Sequence, residues 1–371
     1  MRVWVDITDA SHVVFFAPIV RRLEDGGHVV TVTARRFAGA DEVLRRYGLG
    51  GVLTTGHRGG SLGTRAVGLV NRTAQLLGSA SSGRYDVAAG SHASDFVFAA
   101  WTLGIPQLTF LDDRRTQRGV RLDVRLVDEV AVPEAVPPDA VTALGASPDK
   151  LFRYPGFREE YYLYDFQPDP GVLSRFAVER NDVVGVVRPP RPASAFADPA
   201  GPGAAEAARA EAKLLELVVA LAGRRHVELV LVARDAAQRE RFLARAPKGL
   251  TAPQGPLPEV ASLLAAADFY LGVGGIMARE AAALGTPAYT VSRRRLSPVD
   301  AALIAEGRLV SAASADDVLL RKKDPRLSAV QPRDPAVFVD KLLDLARRTT
   351  RRARLGRFVA DIGDSDTAPL V

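Results

Sequence analysis

Short apolar runs alternate along this chain with stretches in which apolar residues recur every three or four positions, and the alternation passes through the sequence twice. "RVWVDI" predicts a first strand. Phe16, Ile19, Val20 and Leu23 then fall at helical spacing; Pro18 suits the first turn of that helix and Gly26–Gly27 stop it. "HVVTVTA" predicts a second strand, followed by a helix containing Asp41 to Tyr47. "YDVAAGS", "SDFVFAAWTLG" and "PQLTFLDD" continue as strand, helix and strand. Strands alternating with helices of this length predict a parallel sheet covered on both faces.

The texture changes over residues 133–170, where "VPEAVPPDAV" and "RYPGFREEYYLYDFQPDPGVL" carry prolines and aromatics, as expected of a connector rather than a core. The alternation restarts at "DVVGVVRPP". It runs on through "AAEAARAEAKLLELVVALAG", "HVELVLVA", a helix at 235–246, "PEVASLLAAAD", "FYLGVGG", a helix from Ile276, and "TPAYTVS". The expected class is α/β, with two Rossmann-like, doubly wound parallel-sheet domains facing across a cleft. The expected boundaries are 1–165, 166–345 and a helix and basic tail at 346–371. In open parallel sheets ligands bind beyond the carboxyl ends of the strands. The chemistry is therefore expected in the loops at 7–13, 90–95, 111–116, 188–196 and 272–280.

A chain of 371 residues suits two domains on a scale of roughly 100–200 residues each. Its 47% apolar and 25% charged residues argue against a disordered chain. The absence of cysteine excludes disulfides, thiolate nucleophiles and cysteine-ligated metals. The chain opens directly on a strand and has no apolar run near the roughly 20 residues of a bilayer span. The expected location is cytoplasmic, with room for peripheral contact at the inner face of the membrane. The net charge is +6, and all but six of the 49 basic residues are arginine. That skew fits an anionic ligand, and it equally fits the base composition of a genome.

Within "YLGVGGIMAREAAALGTPAY", a strand stops at Gly274 and Gly275 and a helix follows. Two glycines allow positive φ and close approach of a ligand to the backbone. Their amides, with those of Ile276 and Met277, point from a helix N-terminus, where anions are favoured. Glu280 lies one turn on, and a carboxylate there can accept two hydroxyl protons from a ribose. The plainer reading is a tight strand–helix turn with an exposed glutamate.

The segment "ADFYLGVGGIMAREAAALGTPAY" resembles the donor-binding part of the GT-B fold, shared by nucleotide-sugar glycosyltransferases and non-hydrolysing UDP-GlcNAc 2-epimerases. The resemblance implies that Gly274 and Gly275 meet a diphosphate and that Glu280 holds the ribose. The epimerases usually carry Ser-Gly-Gly; Gly274 takes the serine's place here, so one hydroxyl contact is missing. "VWVDITDASHVVFFAPIVRRLEDGGHVVTVTAR", "RYPGFREEYYL", "VVRPP" and "GGIMAREAAALGTPAY" look more closely like a poorly characterised prokaryotic family of that fold. This likeness spans nearly the whole chain and does not deliver the reaction. GT-B enzymes generally hold the diphosphate without a metal, so neither metal nor cofactor is expected.

"DITDASH" places Asp6, Asp9, Ser11 and His12 after the first strand. His12 suits a general base on an acceptor hydroxyl, or a hydrogen-bond donor to a phosphate; alternatively Asp9 or Ser11 caps the helix. "GSHASD" supplies Ser91, His92 and Asp95, and "LDDRR" supplies Asp112, Asp113, Arg114 and Arg115. These are further acid–base candidates, or a helix cap and a solvated turn. Adjacent acids match no strong cation motif, and Asp364 and Asp366 lie in a polar tail. Arg188 ends the first strand of the second series and can clamp a diphosphate, or form a structural ion pair. Arg279 points about 100° away from Glu280 around the helix. The stretch 58–78, with Arg58, Arg65 and Arg72, reads as a basic flap toward an acceptor or membrane, or as an ordinary amphipathic helix.

The expected function is a nucleotide-sugar-dependent glycosyltransferase, with UDP-sugar donor and unknown acceptor. Donor contacts fall to Arg188, Gly274, Gly275, Ile276, Met277 and Glu280; catalytic candidates are His12, Asp9, His92, Asp95 and Asp112. The alternatives are a sugar epimerase using Asp95, Asp112 and Asp113, and a non-catalytic nucleotide-binding protein. Nucleic acid is not an expected partner, because the basic residues are spread among acids.

Overall fold

A computed structural model describes residues 1–37, 39–54, 62–81, 83–111, 120–176, 178–179, 181–192, 202–246, 248–253, 257, 260–292, 296–324 and 332–348. Among these, one sheet holds β1 (Arg2–Ile7), β2 (Val29–Arg35), β3 (Val52–Thr54), β4 (Val87–Gly90), β5 (Gln107–Phe110), β6 (Glu129–Pro133) and β7 (Leu151–Tyr154), in the order β3-β2-β1-β4-β5-β6-β7. A second holds β8 (Val183–Arg188), β9 (Val227–Leu231), β10 (Leu250–Thr251), β11 (Phe269–Gly272), β12 (Ala288–Thr290) and β13 (Leu309–Ser311), in the order β10-β9-β8-β11-β12-β13. Every pairing in both is parallel.

Both sheets start at an inner strand, wind to one edge, then cross back and wind to the other. Each therefore has a switch point, between β1 and β4 and between β8 and β11, where a crevice opens beyond the strands. Strands β4 and β11 are buried at every position, as a sheet covered by helices on both faces requires. The connecting helices in the first series are α1 (Ala10–Asp25), α2 (Ala40–Arg46), α3 (Leu62–Ala80), α4 (Ser94–Thr102), α5 (Val120–Leu126), α6 (Pro138–Thr142) and α7 (Arg158–Tyr162). In the second they are α8 (Pro202–Ala222), α9 (Ala236–Arg245), α10 (Val260–Ala266), α11 (Ile276–Ala283) and α12 (Pro298–Ala305); α13 (Ala336–Arg348) follows.

The chain divides into two compact units, Met1–Tyr162 with the described chain from Asp334, and Leu163–Arg333. The core of the second packs Leu214, Leu217, Val218 and Leu221 of α8 on Val187, Leu229, Leu231, Phe269 and Leu271 of the sheet.

Three expectations are corrected. Pro18 lies inside α1 rather than in its first turn. Asp9 starts the helix earlier, accepting from the amides of Ser11 and His12, and proline interrupts a single helical hydrogen bond without ending the run. The proline- and aromatic-rich stretch after 133 is core as well as connector: β7 is the edge strand of the first sheet, and Tyr154 and Tyr161 are buried. The third concerns α13, which belongs to the first unit, not to a domain ending at 345. Phe338 on α13 explains both of the last two corrections. It is fully buried with ring centroids 4.5 Å from Tyr161, 5.0 Å from Tyr154 and 5.2 Å from Phe110. This packing, edge-to-face with Tyr154 and Phe110 and tilted with Tyr161, fastens the returning helix to the end of the first sheet.

Candidate functional site

In the second unit the chain leaves β11 through a corner that only glycine can make. Gly274 has φ +82°, and Gly275 has φ +81° with ψ −160°, a combination essentially closed to residues with a Cβ. Conformation, not crowding, imposes the glycines. A Cβ on Gly275 would meet nothing within 4 Å, and one on Gly274 would make ordinary contacts with Asp300 Oδ2 at 3.5 Å and Thr290 Oγ1 at 3.8 Å. Gly275 caps α11 with no side chain. The first amide bonded back to the cap is that of Arg279, on the Gly275 carbonyl at 3.1 Å, so the amides of Ile276, Met277 and Ala278 have no helical partner. The other end of α11 closes tightly. Thr286 donates to Ala281 at 2.8 Å and Gly285, at φ +68°, donates to Ala282 at 3.2 Å, the paired bonds of a Schellman stop.

Arg188 stands across the switch point from this corner, its backbone paired in register with Gly272. Its Nη1 donates to the carbonyls of Val232 and Ala233 at 2.7 and 3.0 Å, and its Nε is buried with no hydrogen-bond partner among the described residues. Lost solvation, with the repulsion of Arg234 behind it, lowers its pKa to about 10; the charges of Tyr270 and Glu280 act in the opposite sense. Glu280 is thus near enough for its charge to be felt at Arg188. Arg279 is buried against α12 instead, donating through Nε to Asp300 at 2.8 Å and through Nη2 to Ser297 at 2.7 Å.

In the first unit the switch point brings together the loops after β1 and β4. His12 is buried, with Nδ1 2.9 Å from Thr8 Oγ1 and Nε2 3.7 Å from Asp9 Oδ2. Its ring lies edge-on to that of His92, with centroids 6.3 Å apart. His92 holds φ +29°, uncommon for a residue with a side chain. Its amide donates to Thr109 Oγ1 at 2.9 Å. The neighbouring Ser91 hydroxyl is buried with no partner among the described residues.

Asp9 does two jobs. Burial pushes its carboxyl up, but His12 and the hydrogen bonds from Ser11 and the His12 amide outweigh that and hold it below the ordinary value. Its stabilisation is therefore present above the unfolded-state pKa and is lost as pH falls through the lower folded-state value. Asp9→Ala is expected to cost about 1 kcal/mol near neutral pH. Urea unfolding of both proteins at pH 7 and at about pH 3 should show that difference shrinking in acid. An undiminished gap at low pH would count against the assigned charge.

Asp95 is placed differently from what its position in the sequence suggests. Arg72 Nη1 reaches its Oδ1 at 2.8 Å and Arg35 Nη2 its Oδ2 at 2.6 Å, so both oxygens are engaged by guanidinium groups. Arg72 is fully buried and also donates to Asp6 at 2.7 Å, which puts it on the packed side of α3. Asp112 and Asp113, Arg58 and the tail acids lie outside the described residues, as does the side chain of Arg65. Among the described residues no group of three or more His, Cys, Asp or Glu side chains is arranged to hold a metal ion, and no helix is long and apolar enough to cross a membrane.

Sequence reasoning missed Arg234, Tyr270 and Asp300, which gather around the glycine corner and Arg188. Arg234 follows β9, so the carboxyl-end rule applied to that strand would have found it. For Tyr270 the only signal is the glycine two residues later. Asp300 carries none.

Known proteins share this fold. Uncharacterized protein MJ0665 of Methanocaldococcus jannaschii is 24% identical over 341 residues, covering 90% of this chain and 95% of that one. The UDP-GlcNAc 2-epimerase structure from the same organism matches with a TM-score of 0.67 at 11% identity, over 92% of this chain and 99% of that one. The glycosyltransferase VinC, in complex with DTDP, matches with a TM-score of 0.53 at 15% identity, over 97% and 99%. These likenesses show the GT-B-like fold with its two α/β units. A family model described as "Protein of unknown function (DUF354)" matches residues 1–334, and the chain belongs to that family.

Proposed function

We propose that this chain is an enzyme acting on nucleotide sugars, a glycosyltransferase whose donor is a uridine diphosphate sugar. The observation that carries the reading is the glycine-only conformation at the uncapped start of α11, beside an arginine with no carboxylate partner among the described residues. The amides of Ile276 and Met277 receive the diphosphate. Glu280 accepts from the ribose hydroxyls, and Arg188 offsets the charge that builds up on the leaving diphosphate. His12, beside Asp9, takes the proton of the acceptor hydroxyl. The DTDP in the VinC structure, a nucleoside diphosphate on the same fold, is in keeping with this reading.

An epimerase is the second reading, favoured by the higher TM-score of the epimerase structure, 0.67 against 0.53. The double guanidinium grip on Asp95 weighs against it, because that reading needs acids able to take and return protons. Incubation with UDP-GlcNAc alone separates the two. Conversion of UDP-GlcNAc to its UDP-linked 2-epimer supports the epimerase, whereas a transferase leaves C2 unchanged and gives only slow hydrolysis until an acceptor is present.

A thermal-shift panel of nucleotide sugars tests the donor. A uridine diphosphate compound is expected to raise the melting temperature, and Glu280→Ala to abolish the rise. His12→Ala is expected to keep the rise while losing transfer. Stabilisation by adenine or guanine nucleotides alone would show the donor to be wrong.

A further inference from the structure

Two neighbouring strands of the second sheet, β8 and β9, are followed by loops that brace one another through arginines. Arg188 Nη1 donates to the carbonyls of Val232 and Ala233, in the loop after β9. Arg234 Nε donates in return to the Pro189 carbonyl, in the loop after β8, at 3.2 Å. Gln238 fastens the same two loops from behind: its Oε1 accepts from the Arg234 amide at 3.0 Å and its Nε2 donates to the Pro190 carbonyl at 3.0 Å.

Arg188 is thus held through Nη1 and Arg234 through Nε, while most of the five N–H donors of each make no hydrogen bond to protein among the described residues. The two acids that Gln238 touches are already occupied. Glu211 takes Arg241 at 2.7 Å and Gln238 Nε2 at 2.7 Å, and Asp235 caps α9 through the Gln238 amide at 2.7 Å. No carboxylate pairs with Arg188 or Arg234 among the described residues. Two cations braced side by side with no acid between them repel, and an anion placed there gains from both.

Tyr270 adds a third group. Its ring runs along β11 over Gly272, where a Cβ would collide with the hydroxyl. That hydroxyl is fully buried with no hydrogen-bond partner among the described residues. Arg188, Arg234, Glu280 and Asp300 are the charged groups whose fields reach it.

We propose that Arg234 is a second clamp alongside Arg188, so that the site selects a ligand with two linked phosphates, one guanidinium serving each. The proposal rests on the reading that the glycine corner holds a nucleoside diphosphate, and it adds the residue that sets the preference over a monophosphate, Arg234. Tyr270 contributes a buried hydroxyl with no hydrogen-bond partner among the described residues, within the field of both guanidinium groups.

Isothermal titration of the full chain with inorganic pyrophosphate, inorganic phosphate, UDP and UMP tests it. The wild type should bind UDP and pyrophosphate more tightly than UMP and phosphate. Arg234→Gln should weaken UDP and pyrophosphate by roughly 10- to 100-fold and UMP by less than about threefold, the size of one charge-assisted contact. Arg234→Lys should fall between, since it keeps the charge without the fork. An unchanged melting temperature keeps the result from being a folding defect. Equal losses for UDP and UMP, or no loss for either, overturn the clamp while the glycine-corner reading stands. A wild type that binds none of the four compounds overturns both.

Discussion

Gly275→Ala is expected to abolish nucleotide binding while leaving a folded protein. The backbone at this residue, φ +81° and ψ −160°, lies in a region that costs a residue with a Cβ about 1–3 kcal/mol. The variant relieves that cost by turning the peptide, and the amides of Ile276 and Met277 turn with it. Each charge-assisted hydrogen bond lost to a phosphate is worth roughly 1.5–3 kcal/mol. Losing two should weaken UDP on the order of 100-fold or more. Gly307→Ala provides the control. Gly307 has φ +70° and open space where its Cβ would stand, so alanine there meets positive-φ strain without a place in the proposed site. Calorimetry on both variants should show a stability loss in each and a binding loss only at Gly275. Equal binding by the two would mean that the corner is a turn and nothing more.

Arg72→Leu is expected to have the largest effect on stability. A chain of bonds runs from Trp4 Nε1 to Thr33 at 3.1 Å, from Thr33 to Asp6 at 2.7 Å, from Arg72 to Asp6 at 2.7 Å and to Asp95 at 2.8 Å, and ends on Arg35. It ties β1, β2, α3 and α4 together at the carboxyl end of the first sheet. Arg72 is fully buried between two carboxylates. Its removal leaves both buried and under-compensated, at about 3–5 kcal/mol, or a fall in melting temperature of roughly 6–20 °C for a unit of this size. Adding Asp6→Asn and Asp95→Asn to the leucine variant should recover part of the loss. The same network sets apart two roles for Asp95. If the residue is structural, Asp95→Asn lowers the melting temperature; a variant with normal stability and no turnover would restore it as an acid–base group.

The winding of both sheets could be read from the sequence because each strand is a short apolar run and each helix repeats at its own period. The glycine corner could be read because two adjacent glycines before a helix have few other uses, and Arg188 because it ends a strand. Other features depend on residues far apart in the chain. Asp95 looks like a catalytic acid until Arg35 and Arg72, 60 and 23 positions away, are seen to hold it. Phe338 looks like part of the second domain until its ring is found among Phe110, Tyr154 and Tyr161. Arg234 follows a strand and is within reach of the same rule that finds Arg188; what the sequence does not show is its return bond to Pro189.

A crystal structure of the protein with UDP bears most directly on the assignment. The phosphate oxygens should lie within about 3.5 Å of the amides of Ile276 and Met277, with the ribose hydroxyls on Glu280 and a guanidinium nitrogen of Arg188 on the diphosphate. UDP bound at another place, or bound with its phosphates turned away from the start of α11, would contradict it.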